Sequence, residues 1–103
     1  VIMSIKKQFL KSKPVCKVTF KVAKEAAYGA SKVNLTGDFN NWNVNSDEMN
    51  ALKDGSFSLT LDLESGREYQ FRYLLDGTTW INDEEADGYR NSGFDSQNSL
   101  LSL

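Results

Sequence analysis

Apolar and polar residues alternate with a period of two in separate stretches of this 103-residue chain. A period of two places the apolar side chains on one face of a β-strand, whereas an amphipathic helix needs apolar residues three and four apart. The alternation therefore predicts three strands, each with one face on a core. Their apolar positions are Cys16, Val18, Phe20 and Val22, then Phe57, Leu59, Leu61 and Leu63, and then Tyr69, Phe71, Tyr73 and Leu75.

Turn residues divide the rest of the chain. The Asp76-Gly77 pair predicts a tight hairpin turn, because both central residues of such a turn adopt positive φ. Residues 38–50 are rich in Asn and Asp, which favours irregular backbone. An acidic loop from Asp83 onward follows the return strand of the hairpin. Further strands are expected over residues 32–36, 78–82 and near 98–103.

Many short strands, without an amphipathic helix of three turns, predict an all-β antiparallel sandwich. A chain of this length forms one domain and buries enough surface to fold without disulfides or a metal. Residues 1–13 are predicted as a polar N-terminal lead-in that ends at Pro14. Residues 14–103 are predicted as the single sandwich domain.

Charge and composition limit the partners. Twelve Lys and Arg against 14 Asp and Glu give a net charge of −2, which argues against nucleic acid, because its binding needs a concentrated basic surface. The chain has no apolar run of about 18 residues, so no membrane partner is expected. Cys16 is the single cysteine and excludes an intrachain disulfide, which favours a cytoplasmic location.

The residues of common catalytic and metal sites are few. The chain has no His, the commonest general base and metal ligand, and Cys16 belongs to an apolar face. The carboxylates after the hairpin lack the spacing of a calcium loop, and a small sandwich rarely has the cleft that glycoside hydrolysis needs. We therefore expect no enzyme activity, no cofactor, no metal and an exposed acidic loop. The residues of this acidic loop are Asp83, Glu84, Glu85 and Asp87.

The two tryptophans of the chain each lie next to a predicted turn. Trp42 ends the run Gly37-Asp38-Phe39-Asn40-Asn41-Trp42, and Trp80 follows the Asp-Gly pair. Tryptophan combines a large apolar face with one N–H donor, and it serves well where a partly wet surface must hold a flat ligand. A pyranose ring, with its face of C–H groups and its rim of hydroxyls, is such a ligand.

Three blocks of the chain resemble one family. Residues 34–42 (Asn-Leu-Thr-Gly-Asp-Phe-Asn-Asn-Trp) resemble the signature of family-48 carbohydrate-binding modules, and residues 69–77 and 94–99 resemble its second and C-terminal blocks. The family includes the isoamylase-type N-terminal domains of glycogen branching and debranching enzymes and the glycogen-binding domain of the AMP-activated kinase β subunit. The resemblance covers about residues 14–103 and implies an immunoglobulin-like (early-set) sandwich.

The resemblance also implies a binding site. In the glycogen-binding members two tryptophans stack on glucose rings, and these positions match Trp42 and Trp80. The basic, apolar and asparagine positions of that site match Arg72, Phe94 and Asn98. Two departures from the family pattern are visible, because Trp80 lies one residue further from the Asp-Gly turn and Phe94 replaces an aliphatic residue.

The sequence therefore favours non-catalytic binding of an α-glucan (glycogen, starch or maltooligosaccharides) by stacking on Trp42 and Trp80. One alternative is a protein-interaction or scaffold domain of the same fold that has no sugar affinity. Another is an accessory domain of a glycogen branching or debranching enzyme, so that the partners would include a glycogen-metabolising enzyme. Two tryptophans that lie side by side on one surface would favour glucan binding, whereas a buried one would favour protein interaction.

Overall fold

A computed structural model describes residues 3–92 and 96–103, and in these ranges the chain forms nine strands and one short 3-10 turn. The described ranges contain no helix with the length and apolar character needed to cross a bilayer. The 3-10 turn is Asp38–Asn40. The strands are β1 (Met3–Phe9), β2 (Val15–Val22), β3 (Val33–Gly37), β4 (Asn50–Ala51), β5 (Phe57–Glu64), β6 (Glu68–Leu75), β7 (Thr79–Ile81), β8 (Gly88–Asn91) and β9 (Gln97–Ser102).

The strands form two antiparallel sheets. One has the order β1-β2-β5-β4, and the other has the order β3-β6-β9-β8, with β7 also paired to β6. Strand β6 is the centre of the second sheet: β3 lies along one edge, and β9 and then β7 lie along the other. The prediction of an all-β antiparallel sandwich is confirmed, while the early-set assignment stays a prediction.

The core lies between the two sheets, and the period-two alternation fills it. The inward positions of β2 and β6 are buried, including Cys16, as the sequence predicts. Phe71 is fully buried, and its ring centroid lies 5.3 Å from that of Phe20 and 5.7 Å from that of Tyr73, both in edge-to-face geometry. Inward residues of the central part of β5 are only partly buried, so this strand covers the rim of the core.

The outer face of the first sheet is polar and exposed. Lysines from β1 and β2 project from it, at positions that alternate with core residues. On β5, Ser58 lies opposite Lys21, Asp62 lies opposite Lys17, and Thr60 lies opposite Thr19. The exposed lysines of this face are Lys6, Lys17 and Lys21.

Strand β1 departs from the prediction that residues 1–13 are a lead-in to the domain. Residues 3–9 form an edge strand of the first sheet. Lys7 occupies an inward position of this strand and interrupts its apolar pattern. Its Nζ donates to the Asp87 carboxylate at 2.7 Å and to the Ser102 carbonyl at 3.1 Å, and so joins the edges of the two sheets.

Asp83 corrects the prediction of an exposed acidic loop. Glu84, Glu85 and Asp87 are exposed, but Asp83 is 0% exposed. The Tyr73 hydroxyl donates to Asp83 Oδ2 at 2.6 Å, and the Glu85 backbone N–H donates to Asp83 Oδ1 at 2.7 Å. Burial raises the pKa of the Asp83 carboxyl, against the opposing effect of these two donors.

The raised pKa of Asp83 predicts that its contribution to the free energy of unfolding depends on pH. A carboxyl whose pKa is higher in the folded than in the unfolded chain holds its proton better when folded. Its contribution to the free energy of unfolding therefore falls as the pH rises above the unfolded value of about 3.9. We expect Asp83→Asn, which cannot ionise, to gain stability relative to the parent as the pH rises above about 4. Urea denaturation at several pH values measures this difference.

The exposed neighbour Glu84 provides the control for this measurement. The Glu84→Gln variant should follow the parent more closely than Asp83→Asn does. A stability difference between the parent and Asp83→Asn that does not change with pH would contradict the assignment.

Candidate functional site

The outer face of the second sheet combines polar and apolar side chains. On β6 the residues that alternate with the core positions are Gln70, Arg72 and Leu74. Leu74 lies opposite Trp80 of β7, and Arg72 lies opposite Thr36 of β3. The strand register therefore places a tryptophan and an arginine from neighbouring positions on one face.

Gly37 ends β3 at a point where the chain passes very close to β6. A Cβ atom at this position would lie 2.5 Å from the Gln70 carbonyl oxygen and 2.7 Å from Phe71 Cβ. Both are atoms of the sheet itself, so they cannot move away cheaply. A glycine is therefore required where the chain leaves the sheet and enters the 3-10 turn.

Asn40 holds the loop that follows. Its Oδ1 accepts the Gly37 N–H at 3.0 Å, and its Nδ2 donates to the Leu35 carbonyl at 2.9 Å and to Asp47 Oδ2 at 2.7 Å. One side chain therefore ties together the start of the turn, the preceding strand and the returning segment. Side-chain-to-backbone bonds of this kind are typical of Asn in turns.

Trp42, at the end of this turn, has an unusual backbone conformation with positive φ. Asn41 and Trp42 have φ values of 56° and 58°, in the left-handed region that a bulky residue seldom adopts. The Trp42 backbone N–H donates to the Gly37 carbonyl at 2.9 Å, and its indole Nε1–H donates to Asp38 Oδ1 at 2.9 Å. Strained backbone persists where surrounding bonds enforce it, as they do here, and such positions cluster at functional sites.

Trp80 is placed by the hairpin between β6 and β7. Asp76 and Gly77 have φ values of 49° and 72°, which confirms the predicted turn. Trp80 is 42% exposed, although it lies opposite Leu74, which is 4% exposed. The sheet therefore presents an exposed indole beside a buried apolar residue.

Four of the five residues that the resemblance implies come together. Trp42, Arg72, Trp80 and Asn98 line a shallow depression of about 260 Å³. Trp80 is exposed and Trp42 is half-buried, and both border the same space. Phe94, the fifth residue, lies outside the described residues.

Arg72 and Asn98 are bonded to each other. Arg72 Nε donates to Asn98 Oδ1 at 2.6 Å, and Arg72 Nη2 donates to the Ser92 and Ser96 hydroxyls at 3.0 Å each. Asn98 Nδ2 in turn donates to Gln70 Oε1 at 3.1 Å. The guanidinium is therefore fixed in one orientation, so that its donors are arranged before any ligand arrives.

A second depression of about 570 Å³ lies next to the first, because Arg72 and Trp80 line both. Its other lining residues are Asn82, Asn91, Ser96 and Gln97. Among the described residues, these two depressions are lined by side chains that stack or form hydrogen bonds, and none of them is a carboxylate. Within the same ranges, no group of three or more acidic or Cys side chains is arranged to hold a metal ion. Apart from the Arg72 guanidinium this lining is uncharged, and it offers aromatic faces and hydrogen-bonding groups to a ligand rich in hydroxyls.

The comparison with family models identifies one match. The model of the glycogen recognition site of AMP-activated protein kinase matches residues 21–99, a range that contains the four residues of the smaller depression. A search of curated proteins gives no match. Since the match spans well over half of the chain and agrees with the three sequence blocks, the chain belongs to the family of the glycogen recognition site of AMP-activated protein kinase.

Proposed function

We propose that this protein binds α-glucans, as glycogen, starch or maltooligosaccharides, without catalysing their cleavage. The observation that carries the proposal is that Trp42 and Trp80 border one depression together with the bonded pair Arg72 and Asn98. The indole faces offer apolar area to the C–H faces of glucose rings. The fixed guanidinium offers N–H donors to neighbouring hydroxyls.

The two tryptophans have different roles in this proposal. The Trp42 indole N–H is already bonded to Asp38, so Trp42 contributes its ring face alone. Trp80 contributes the more exposed ring, next to Leu74. Asn98 uses Oδ1 for Arg72 and Nδ2 for Gln70, so it acts mainly by orienting Arg72.

Titration with maltoheptaose tests the proposal, followed by tryptophan fluorescence and by NMR shifts of the two indole N–H groups. We expect saturable binding that shifts both indole signals. Because few ion pairs would form, the affinity should change little between low and moderate salt. Binding through phosphate contacts instead falls by orders of magnitude over such a range.

A control titration with an RNA or DNA oligomer separates these cases. Tight, salt-sensitive binding to the oligomer, with none to glucans, would overturn the proposal. A folded protein that binds neither ligand would favour the protein-interaction or scaffold alternative. The cytoplasmic location and the glycogen-metabolising enzyme partner stay predictions.

A further inference from the structure

Asp38 lies between the loop of Trp42 and the central strand of the binding face. Its Oδ1 accepts the Trp42 indole N–H at 2.9 Å, and its Oδ2 accepts the Gln70 backbone N–H at 2.7 Å. The carboxylate therefore links the Trp42 side chain, which could otherwise rotate, to the backbone of β6, which the sheet holds in place. Hydrogen bonds to an ionised carboxylate are about twice as strong as those between neutral groups.

The bridge constrains the orientation of the Trp42 ring. An indole on a surface loop can turn about its side-chain bonds, and a stacking surface forms only when its face is turned toward the ligand. The hydrogen bond from Nε1 holds one edge of the indole ring. The left-handed backbone of Asn41 and Trp42 sets the direction in which the side chain leaves the loop. Since less freedom is then lost on binding, a ring held in this way binds more tightly than a free one.

The same bridge connects the aromatic and polar halves of the site. Gln70, whose backbone anchors Asp38, also accepts the Asn98 amide through its side chain. Asn98 accepts the Arg72 Nε–H. Trp42 and Arg72 are thus both oriented with reference to Gln70, through one continuous set of hydrogen bonds.

We propose that Asp38 is a positioning residue of the glucan site, whose carboxylate holds the Trp42 indole facing the depression. This inference rests on the proposed function, because it assumes that Trp42 stacks on glucan. Asp38 belongs to the Gly37–Trp42 run of the sequence, and that pattern predicts no role for its carboxylate.

The test compares maltoheptaose affinity and indole NMR signals in Asp38→Ala and Asp38→Asn. We expect Asp38→Ala to weaken binding about tenfold, the effect of one lost hydrogen bond to a charged group. Its Trp42 Nε1–H signal should shift and exchange faster with water, while the Trp80 signal stays in place. Asp38→Asn retains one acceptor oxygen and should lose less affinity. Asp62→Ala, an exposed change on the other sheet, is the matched control and should match the parent.

A double-mutant cycle separates positioning from other roles. In a Trp42→Ala background, Asp38→Ala should cost no further affinity, because no indole remains to be held. An equal loss in both backgrounds would overturn the proposal, and so would parental affinity in Asp38→Ala while the parent binds glucan. A parent that binds no glucan removes the proposed function, and this proposal with it. If Asp38→Ala fails to fold, hydrogen exchange in the parent replaces it, and a Trp42 Nε1–H that exchanges with water as fast as the Trp80 Nε1–H would overturn the proposal.

Discussion

Replacing Trp42 or Trp80 by alanine is expected to weaken glucan binding by about 1–3 kcal/mol in each case, because each change removes ring stacking and apolar contact. Both variants should remain folded, since Trp80 is 42% exposed and neither tryptophan belongs to the core cluster of buried residues. Isothermal titration with maltoheptaose gives the affinities, and thermal melting reports the fold.

Two further variants calibrate this result. Arg72→Ala should cost less, about 1 kcal/mol, because water replaces part of the lost hydrogen bonding. Lys53→Ala, on an exposed turn outside the described lining of the depressions, should bind as the parent does. If both tryptophan variants unfold, the tryptophans are structural. If both fold and bind as the parent does, the stacking surface lies elsewhere.

Replacing Phe71 by alanine is expected to destabilise the domain by about 3–5 kcal/mol, the usual cost of emptying a buried aromatic site. Phe71 is 0% exposed and contacts Phe20 and Tyr73 at the centre of the core. A domain of this size has a free energy of unfolding of about 5–15 kcal/mol, so the variant should lose a large share of its stability. Urea denaturation followed by circular dichroism measures the loss.

Leu61→Ala provides the comparison on the facing sheet. Sequence alternation assigns Leu61 to the same core, but the structure leaves it partly buried. Its replacement should therefore cost clearly less than that of Phe71. A larger loss at Leu61 than at Phe71 would mean that the rim and centre of the core are wrongly placed.

Alternation predicts β2, β5 and β6, and strands close to β3, β7 and β9 are also expected from the sequence, whereas β1, β4 and β8 are not. Strands β2, β5 and β6 carry apolar residues at every inward position of their central parts, so their existence and inward faces followed directly. In β1 an inward lysine breaks the pattern, and its ion pair with Asp87 forms only after the sheets meet. Strand β8 has just four residues, too few for a period to be recognised.

The candidate site was predicted through its family pattern, and its supporting bonds were not. Trp42, Arg72, Trp80 and Asn98 were all named from the sequence, and the structure gathers them around one depression. The partners of Arg72 and Asn98 are Gln70, Ser92 and Ser96, which the fold brings in from segments 20 or more residues away, so no local pattern encodes them. Asp38 lies four residues before Trp42, but its second contact is to the Gln70 backbone, 32 residues away.

The burial of Asp83 is another feature that the sequence does not predict. A carboxylate in a run of acidic residues is typical of an exposed loop. The hydroxyl that donates to its carboxylate comes from Tyr73 on β6, whereas Asp83 follows β7, the next strand of the hairpin. The pairing therefore depends on the hairpin geometry and could not be inferred from composition.

The division of the surface between two sheets has a practical consequence for making an affinity reagent. Lys6, Lys17 and Lys21 project from the outer face of the first sheet, while the tryptophan depression belongs to the second. Amine coupling through these lysines would attach the domain to a bead or sensor chip by the outer face of its first sheet. The indole rings would then point into solution, ready to capture polysaccharide from a flowing sample.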